Sequence, residues 1–138
     1  MSMIFDTKIA VVLRDDLPVW QKLNVTAFTV SGIAGTVAGV TSAPYEDGSG
    51  NRYLPMFKQP VLVFSADAPA IRRAYERARE RNLAFSLFTE ELFATGNDID
   101  NRAAMKAVPV DDLRIVGMAL RAEKKTVDKV LKGLSLHR

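Results

Sequence analysis

The chain of 138 residues contains no cysteine. Disulfide bonds, thiol nucleophiles and thiolate metal sites are therefore excluded. Its single histidine is His137, next to the last residue. Because terminal residues are usually poorly ordered, we expect this imidazole to be a poor general base or metal ligand. No apolar run approaches the roughly 18 residues of a membrane helix, and the N-terminus lacks the pattern of a signal peptide. The sequence therefore predicts a cytoplasmic protein with no membrane partner.

Patterns that bind the common cofactors are also missing. The glycines at 48 and 50 lack the lysine and the spacing of a phosphate-binding loop. Gly32, Gly35 and Gly39 do not directly follow the first apolar segment, so the dinucleotide-binding pattern fails. No zinc motif is present, and the calcium-loop pattern is incomplete. We therefore predict neither a metal site nor a cofactor.

What is present is ordinary for a globular protein, with 48% apolar and 25% charged residues. The length predicts a single α/β domain over residues 1–138. The net charge of +3 is concentrated near the end, because residues 121–138 hold six basic and two acidic side chains. We predict a basic C-terminal helix over 121–138. A solvated helix face is the favoured interpretation, and phosphate binding is the alternative.

Four apolar segments alternate with helical patterns, which predicts a three-layer α/β sandwich with a sheet of four or slightly more strands flanked by helices. The predicted strands are Lys8–Leu13, Pro60–Phe64, Leu83–Phe88 and Leu113–Leu120. In the first helix, apolar residues recur at helical spacing and are expected to face the core. They are Trp20, Leu23, Ala27 and Val30.

Polar side chains follow the first and third predicted strands, where open α/β sheets bind ligands. We expect Arg14, Asp16 and Thr89 to contact a ligand. Lys22 in the first helix is the candidate to stabilise an oxyanion, with Asp15 or Glu90 orienting a water molecule. The alternative interpretation is structural: a helix-capping aspartate at position 16 and a surface lysine.

The segment Tyr45–Tyr53 is the least regular part of the chain and contains a strong turn signal, Asp-Gly-Ser-Gly-Asn. Loops of this length often carry function. We therefore expect Tyr45, Arg52 and Tyr53 to help to wall a pocket beside the first strand. A plain exposed hairpin is the alternative.

Three segments resemble small bacterial proteins that are known only as a domain of unknown function. They are RDDLPVWQKLNVTAF, PYEDGSGNRYLPMFKQPVLVF and TEELFATGNDIDNRAA. A more distant resemblance is to the type II peptidyl-tRNA hydrolases. Arg14, Asp16 and Leu17 match the turn that follows the first strand of that family, and residues 109–120 resemble its closing strand. This resemblance implies a mixed sheet between helix layers.

The same resemblance implies ester hydrolysis, with Lys22 in the place of the family's functional lysine. The helix departs from the family pattern, however. Gln21 replaces the glycine before the lysine, and Thr26 and Ala27 lie where the family has glutamine and histidine. The resemblance therefore predicts the fold better than the activity.

These observations leave three functions open. The leading hypothesis is a ligand-binding protein without a complete catalytic set, whose partner is a small molecule or the end of an RNA. The first alternative is an esterase acting on peptidyl-tRNA or a related aminoacyl ester. The second is a homo-oligomeric interaction protein that uses the apolar loop residues Tyr53, Leu54, Met56 and Phe57.

Overall fold

A computed structural model describes residues 5–138. The strands are β1 (Thr7–Arg14), β2 (Tyr45–Glu46), β3 (Arg52–Tyr53), β4 (Val61–Ala66), β5 (Phe85–Thr89), β6 (Ile115–Glu123) and β7 (Ser135–Leu136). The helices are α1 (Val19–Thr36), α2 (Ala68–Glu80), α3 (Asp98–Lys106) and α4 (Lys124–Val130), with 3₁₀ turns at Glu90–Ala94 and Val110–Asp112. Within the described part of the chain, no helix is long and apolar enough to span a membrane.

The main sheet has five strands in the order β5-β6-β1-β4-β7. β1 runs parallel to β4 and antiparallel to β6, so the sheet is mixed. The central strand β1 is apolar on both faces because helices cover both sides of the sheet, and Ile9–Val12 are fully buried. The prediction that the four apolar segments share one sheet is confirmed. The fifth strand, β7, was not predicted.

Three layers arise because the side chains of β1 alternate between two apolar clusters. Ile9 and Val11 pack on the side of α1, together with its buried Val25. Ala10 and Val12 pack on the opposite side, against α2 and α4. The flanking helices are therefore divided, with α1 on one face and α2 and α4 on the other.

The rotation of α1 differs from the sequence prediction. The helix buries Val25, Thr29 and Ile33, whereas Trp20 and Leu23 are 63% and 67% exposed. The prediction that Trp20, Leu23 and Ala27 face the core is therefore wrong, whereas Val30 is half-buried and packs against the core. α1 carries one charged residue, so its apolar pattern does not by itself select the buried face.

The expected capping role of Asp16 is also wrong. Pro18 is the residue before α1, and no side chain caps this helix. By contrast, Asp67 caps α2 by accepting a hydrogen bond from Ala70 N at 2.9 Å, and Asn97 caps α3 by accepting one from Asp100 N at 2.9 Å. Placement of α1 therefore depends on packing against the sheet.

The basic helix predicted over residues 121–138 needs correction, because only Lys124–Val130 is α-helical. Residues 121–123 continue β6, where Arg121 pairs with Ile9 of β1. After α4 the chain reverses near Gly133, whose φ of +91° suits glycine. β7 then pairs with β4, and the N–H of His137 donates to Val63 O at 2.8 Å. The expectation that this end is poorly ordered is therefore wrong.

Candidate functional site

Arg14 lies at the carboxyl end of β1, where it forms an ion-pair network with Asp16 and Glu90. Its Nε lies 2.6 Å from Asp16 Oδ1, and its Nη1 lies 2.6 Å from Glu90 Oε1. The Arg14 side chain is 15% exposed. Burial lowers the pKa of its guanidinium, but the hydrogen bonds with Asp16 and Glu90 outweigh burial and raise that pKa above its ordinary value. The structure therefore brings together three of the sequence-predicted site residues.

Glu90 shares its other oxygen with a second arginine. Glu90 Oε2 lies 3.1 Å from Arg114 Nη1, and Arg114 Nη2 lies 3.0 Å from Glu91 Oε1. Burial raises the pKa of Glu91, but hydrogen bonds from its own backbone and Arg114 lower it further than burial raises it. Thr89 beside them is fully buried. These ion pairs connect the end of β1, the end of β5 and the segment before β6. The Glu90 carboxylate is therefore paired with two guanidinium groups.

Lys22 contacts the lone histidine, which sequence reasoning had set aside. Lys22 Nζ lies 3.1 Å from His137 Nε2, and His137 Nδ1 lies 2.7 Å from the backbone oxygen of Arg138. Nδ1 must donate to that oxygen, so Nε2 accepts from the lysine. Within residues 5–138, no hydrogen bond or ion pair joins Lys22 to Asp15 or Glu90. Asp15 is exposed, and its backbone N–H donates to Ala66 O.

The Tyr45–Tyr53 segment forms an exposed hairpin, one of the two forms expected from the sequence. Tyr45 and Tyr53 are 49% and 56% exposed. Arg52 Nε lies 3.9 Å from Glu46 Oε1. Asp47 accepts a hydrogen bond from Tyr53 Oη at 2.8 Å. That bond, with others from Asn51 and Ser49, lowers the pKa of Asp47 to about 2. The hairpin is therefore held by its own carboxylate.

A cavity of about 540 Å³ opens between α1, β5 and α3. Its floor is largely apolar and includes Phe28 of α1 and Phe88 of β5. The polar lining comes mainly from α3. The lining residues are Phe28, Thr29, Ser86, Leu87, Phe88, Leu92, Asp98, Asn101, Arg102, Met105 and Lys106. Asp98 and Arg102 pair with each other at 2.8 Å, so the charge they place at the rim is balanced.

A second cavity of about 340 Å³ adjoins the first and shares five lining residues with it, among them Phe28, Phe88 and Asn101. It adds Trp20 and Phe93. The four rings form a connected cluster, with centroid distances of 6.3 Å for Trp20–Phe93, 5.8 Å for Phe28–Phe88 and 5.0 Å for Phe88–Phe93. We call these two cavities together the aromatic groove.

Two amides face the aromatic groove with unused hydrogen-bonding capacity. The hydroxyl of Thr95 donates to Asn101 Oδ1, which leaves Asn101 Nδ2 without a partner among residues 5–138. Asn24 of α1 also lines the groove and has no side-chain hydrogen bond within the described residues. Sequence reasoning missed the groove. The available signal was the spacing of Trp20, Asn24 and Phe28, each four residues apart on one helix.

The described residues offer no obvious metal centre. No group of three or more histidine, aspartate and glutamate side chains within residues 5–138 is placed to hold a metal ion. The groove itself presents apolar carbon, amides, hydroxyl groups, one balanced ion pair and the ammonium group of Lys106. Its chemistry suits non-covalent recognition of a small molecule.

Comparisons with known proteins give a family and a structural relative. A family model described as "Protein of unknown function (DUF2000)" matches residues 7–138. The fold is similar to a solved structure of Atu0240, a protein of unknown function from Agrobacterium tumefaciens strain C58. The two are 51% identical with a TM-score of 0.95, and the match covers 98% of this chain and 100% of the other. No curated protein matches the chain.

Proposed function

Because this chain belongs to the DUF2000 family, a family of unknown function, we propose a function from the geometry of the cavity between α1, β5 and α3. The protein binds a small, mostly apolar aromatic molecule in the aromatic groove between α1 and α3. The observation that carries this proposal is the cavity of about 540 Å³, continuous with a second of about 340 Å³ and lined by four aromatic rings.

The size and lining of the groove support this choice of ligand. Small-molecule sites usually occupy about 300–1,000 Å³ and combine an apolar lining with a few polar groups that fix orientation. An aromatic ligand would add edge-to-face contacts worth about 0.5–1.5 kcal/mol each beyond the burial of its surface. The amides of Asn24 and Asn101 would orient a carbonyl or hydroxyl group on that ligand.

Binding is a better conclusion than hydrolysis because Glu90 and Lys22 are engaged elsewhere, and the exposed Asp15 makes no contact with Lys22 among the described residues. Glu90 is paired with two arginines, and Lys22 is hydrogen-bonded to His137. A kinship with the type II peptidyl-tRNA hydrolases, and the esterase activity it implies, remain predictions. They are supported by the Arg14-Asp16-Leu17 turn and by the mixed sheet between helices.

The single tryptophan provides a direct test. Trp20 lines the groove, so a neutral apolar probe such as N-phenylnaphthylamine should accept excitation energy from it on binding. Phe28→Ala removes one wall and is expected to weaken binding by about fivefold or more. Leu54→Ala, which trims an 84% exposed apolar side chain directly after the hairpin, is the control and should leave the affinity unchanged.

Two outcomes would contradict the proposal. One is the absence of energy transfer in the wild-type protein at saturating probe. The other is an affinity that drops in Leu54→Ala but stays constant in Phe28→Ala, since the probe would then bind at the hairpin.

The exposed hairpin supports a second candidate, self-association. Tyr53, Leu54 and Met56 are 56%, 84% and 58% exposed, and neighbouring exposed apolar groups often mark interaction surfaces. We expect Leu54→Ser combined with Met56→Ser to shift the sedimentation coefficient toward that of a monomer. Ile99→Ser, a change to a 78% exposed residue on α3, should not. A monomeric wild-type protein at high concentration would remove this candidate.

A further inference from the structure

A neighbouring cavity of about 290 Å³ lies between the C-terminal half of α1 and the start of β5. Its lining residues are Gly32, Ile33, Thr36, Val37, Ala84, Phe85, Ser86 and Arg121. Most of these walls are apolar or small. Arg121 of β6 is the one charged group among them. A positive charge in an apolar cavity needs a compensating partner, which makes this arginine the feature to explain.

Among residues 5–138, the Arg121 side chain has no hydrogen-bond or ion-pair partner. Its Nε is buried and makes no hydrogen bond there. Arg14 and Arg72, whose side chains are also partly covered, hold acidic partners. No ion pair to Arg121 exists in the described part of the chain. A guanidinium left this way retains its planar set of donors, which matches the two oxygens of a carboxylate.

Ser86 supplies a second donor in the same cavity. Its Oγ sits so close to α1 that a Cβ built on Gly32 would lie 2.2 Å from it, so a larger residue at position 32 would force the Ser86 hydroxyl to rotate away. Among the described residues Ser86 has no side-chain hydrogen-bond partner, so its hydroxyl is free to donate. The Thr36 hydroxyl, in contrast, already donates to Gly32 O at 2.6 Å. The donors available to a ligand are therefore Arg121 and Ser86.

We propose that this cavity binds the carboxylate of a small organic acid, with Arg121 and Ser86 as its hydrogen-bond donors. The apolar walls formed by Ile33 and Val37 take the short hydrocarbon portion of the acid. One unpaired cation matches the single charge of a carboxylate, whereas a phosphate dianion would need further donors. This site adjoins the aromatic groove at Ser86, which lines both cavities. Arg121, Ile33 and Val37 are not among the lining residues of the groove, so the proposal does not depend on the function proposed above.

A structural role for Arg121 is the alternative that the experiment must separate. The cavity lies beside the last turns of α1, which carries no basic residue in its last turn. A cation near a helix C-terminus stabilises the helix. In that case, loss of the arginine lowers stability but does not change ligand affinity.

Amide proton–nitrogen spectra of the full chain, titrated with butanoate, test the proposal. We expect saturable shifts at residues 32–37 and 84–86, and an affinity about tenfold or more weaker in Arg121→Met because a charge-assisted bond is lost. The matched control is Arg73→Met, which removes an exposed arginine from α2 on the opposite side of the sheet and should leave the affinity unchanged. Ser86→Ala should also weaken butanoate binding, because the second hydrogen-bond donor is lost.

Ligands that differ in charge complete the design. Butanamide, which keeps the shape but lacks the charge, should not shift these amides, and inorganic phosphate should bind more weakly than butanoate. Equal butanoate binding by the wild-type protein and Arg121→Met would overturn the proposal, as would absence of binding or equal binding of butanamide. Phosphate binding tighter than that of butanoate would overturn the carboxylate assignment. If Arg121→Met does not fold, Ser86→Ala and butanamide still decide the result.

Discussion

The packing of α1 on the sheet can be tested at Gly117, which lies on β6 beneath that helix. A Cβ built on Gly117 would lie 2.3 Å from Val25 Cγ1 and 3.5 Å from Leu13 Cδ2. Carbon atoms in contact normally lie about 3.5–4.0 Å apart, so Gly117→Ala forces either Val25 or the whole helix to move. Val25 is fully buried, which leaves its side chain little space to escape.

The expected cost follows from the geometry of this contact. Overpacking a core usually destabilises a protein by about 1–3 kcal/mol. We expect about 2–3 kcal/mol for Gly117→Ala, because the opposing valine is β-branched and stiff about χ1. The Val25→Ala change alone also destabilises, through loss of buried apolar surface. In the double variant the methyl group on residue 117 gains room, so the two costs should be non-additive by about 1 kcal/mol or more.

Urea unfolding of the wild-type protein, both single variants and the double variant measures these differences. Gly35→Ala is the matched control, because a Cβ at this helical position meets no atom within 4 Å. The control should raise stability by about 0.5–1 kcal/mol, since alanine favours the helix over glycine. A Gly117→Ala variant as stable as the wild type, or strictly additive costs in the double variant, would refute this description of the α1–β6 contact.

Three further predictions concern the hairpin, the last strand and the catalytic alternative. Tyr53→Phe should raise the pKa of Asp47 from about 2 toward its ordinary 3.8, and the pH dependence of the Asp47 carboxyl carbon chemical shift measures this change. In the wild-type protein, the contribution of the Asp47 carboxylate to hairpin stability is present above pH about 4 and is lost as the pH falls through about 2. Ending the chain after residue 134 removes the pairing to β4 and should lower the free energy of unfolding by about 1–3 kcal/mol, from a few lost hydrogen bonds. Peptidyl-tRNA hydrolysis should be undetectable or very slow, and clear turnover that is lost in a folded Lys22→Ala variant would make the esterase the leading function.

The strands of the sheet were predictable because their residues carry a strong local pattern. Lys8–Leu13 is apolar at successive positions, which is typical of a strand buried on both faces, and the structure places it at the centre of the sheet. β7 has no comparable signal, since it consists of Ser135 and Leu136. Its existence depends on the open edge of β4, which a local pattern cannot reveal.

Parts of the candidate site were predictable for a related reason. Arg14 and Glu90 follow strands, and the ends of such strands meet at one edge of an α/β sheet. Their contact at 2.6 Å joins residues 76 positions apart. The sequence did not indicate that this pair would form part of a larger ion-pair network. The network depends on Arg114, which lies on the other side of Glu90 and pairs with its second carboxylate oxygen.

The aromatic groove was not predictable from periodicity alone. α1 is apolar on more than one face, so two different sets of residues could have formed its buried side. The structure buries Val25 and Thr29, which turns Trp20 and Phe28 toward the groove. The opposite wall is α3, and its position against α1 is a tertiary contact that no local pattern encodes.

The measurement that tests the central proposal most directly is the location of bound N-phenylnaphthylamine by intermolecular nuclear Overhauser effects. The groove contributes methyl groups from Leu92 and Met105, whereas the segment that follows the hairpin contributes those of Leu54 and Met56. We predict cross-peaks from the probe to the first set. Cross-peaks confined to Leu54 and Met56, or a probe that does not bind at all, would contradict the assignment of the aromatic groove as the ligand site.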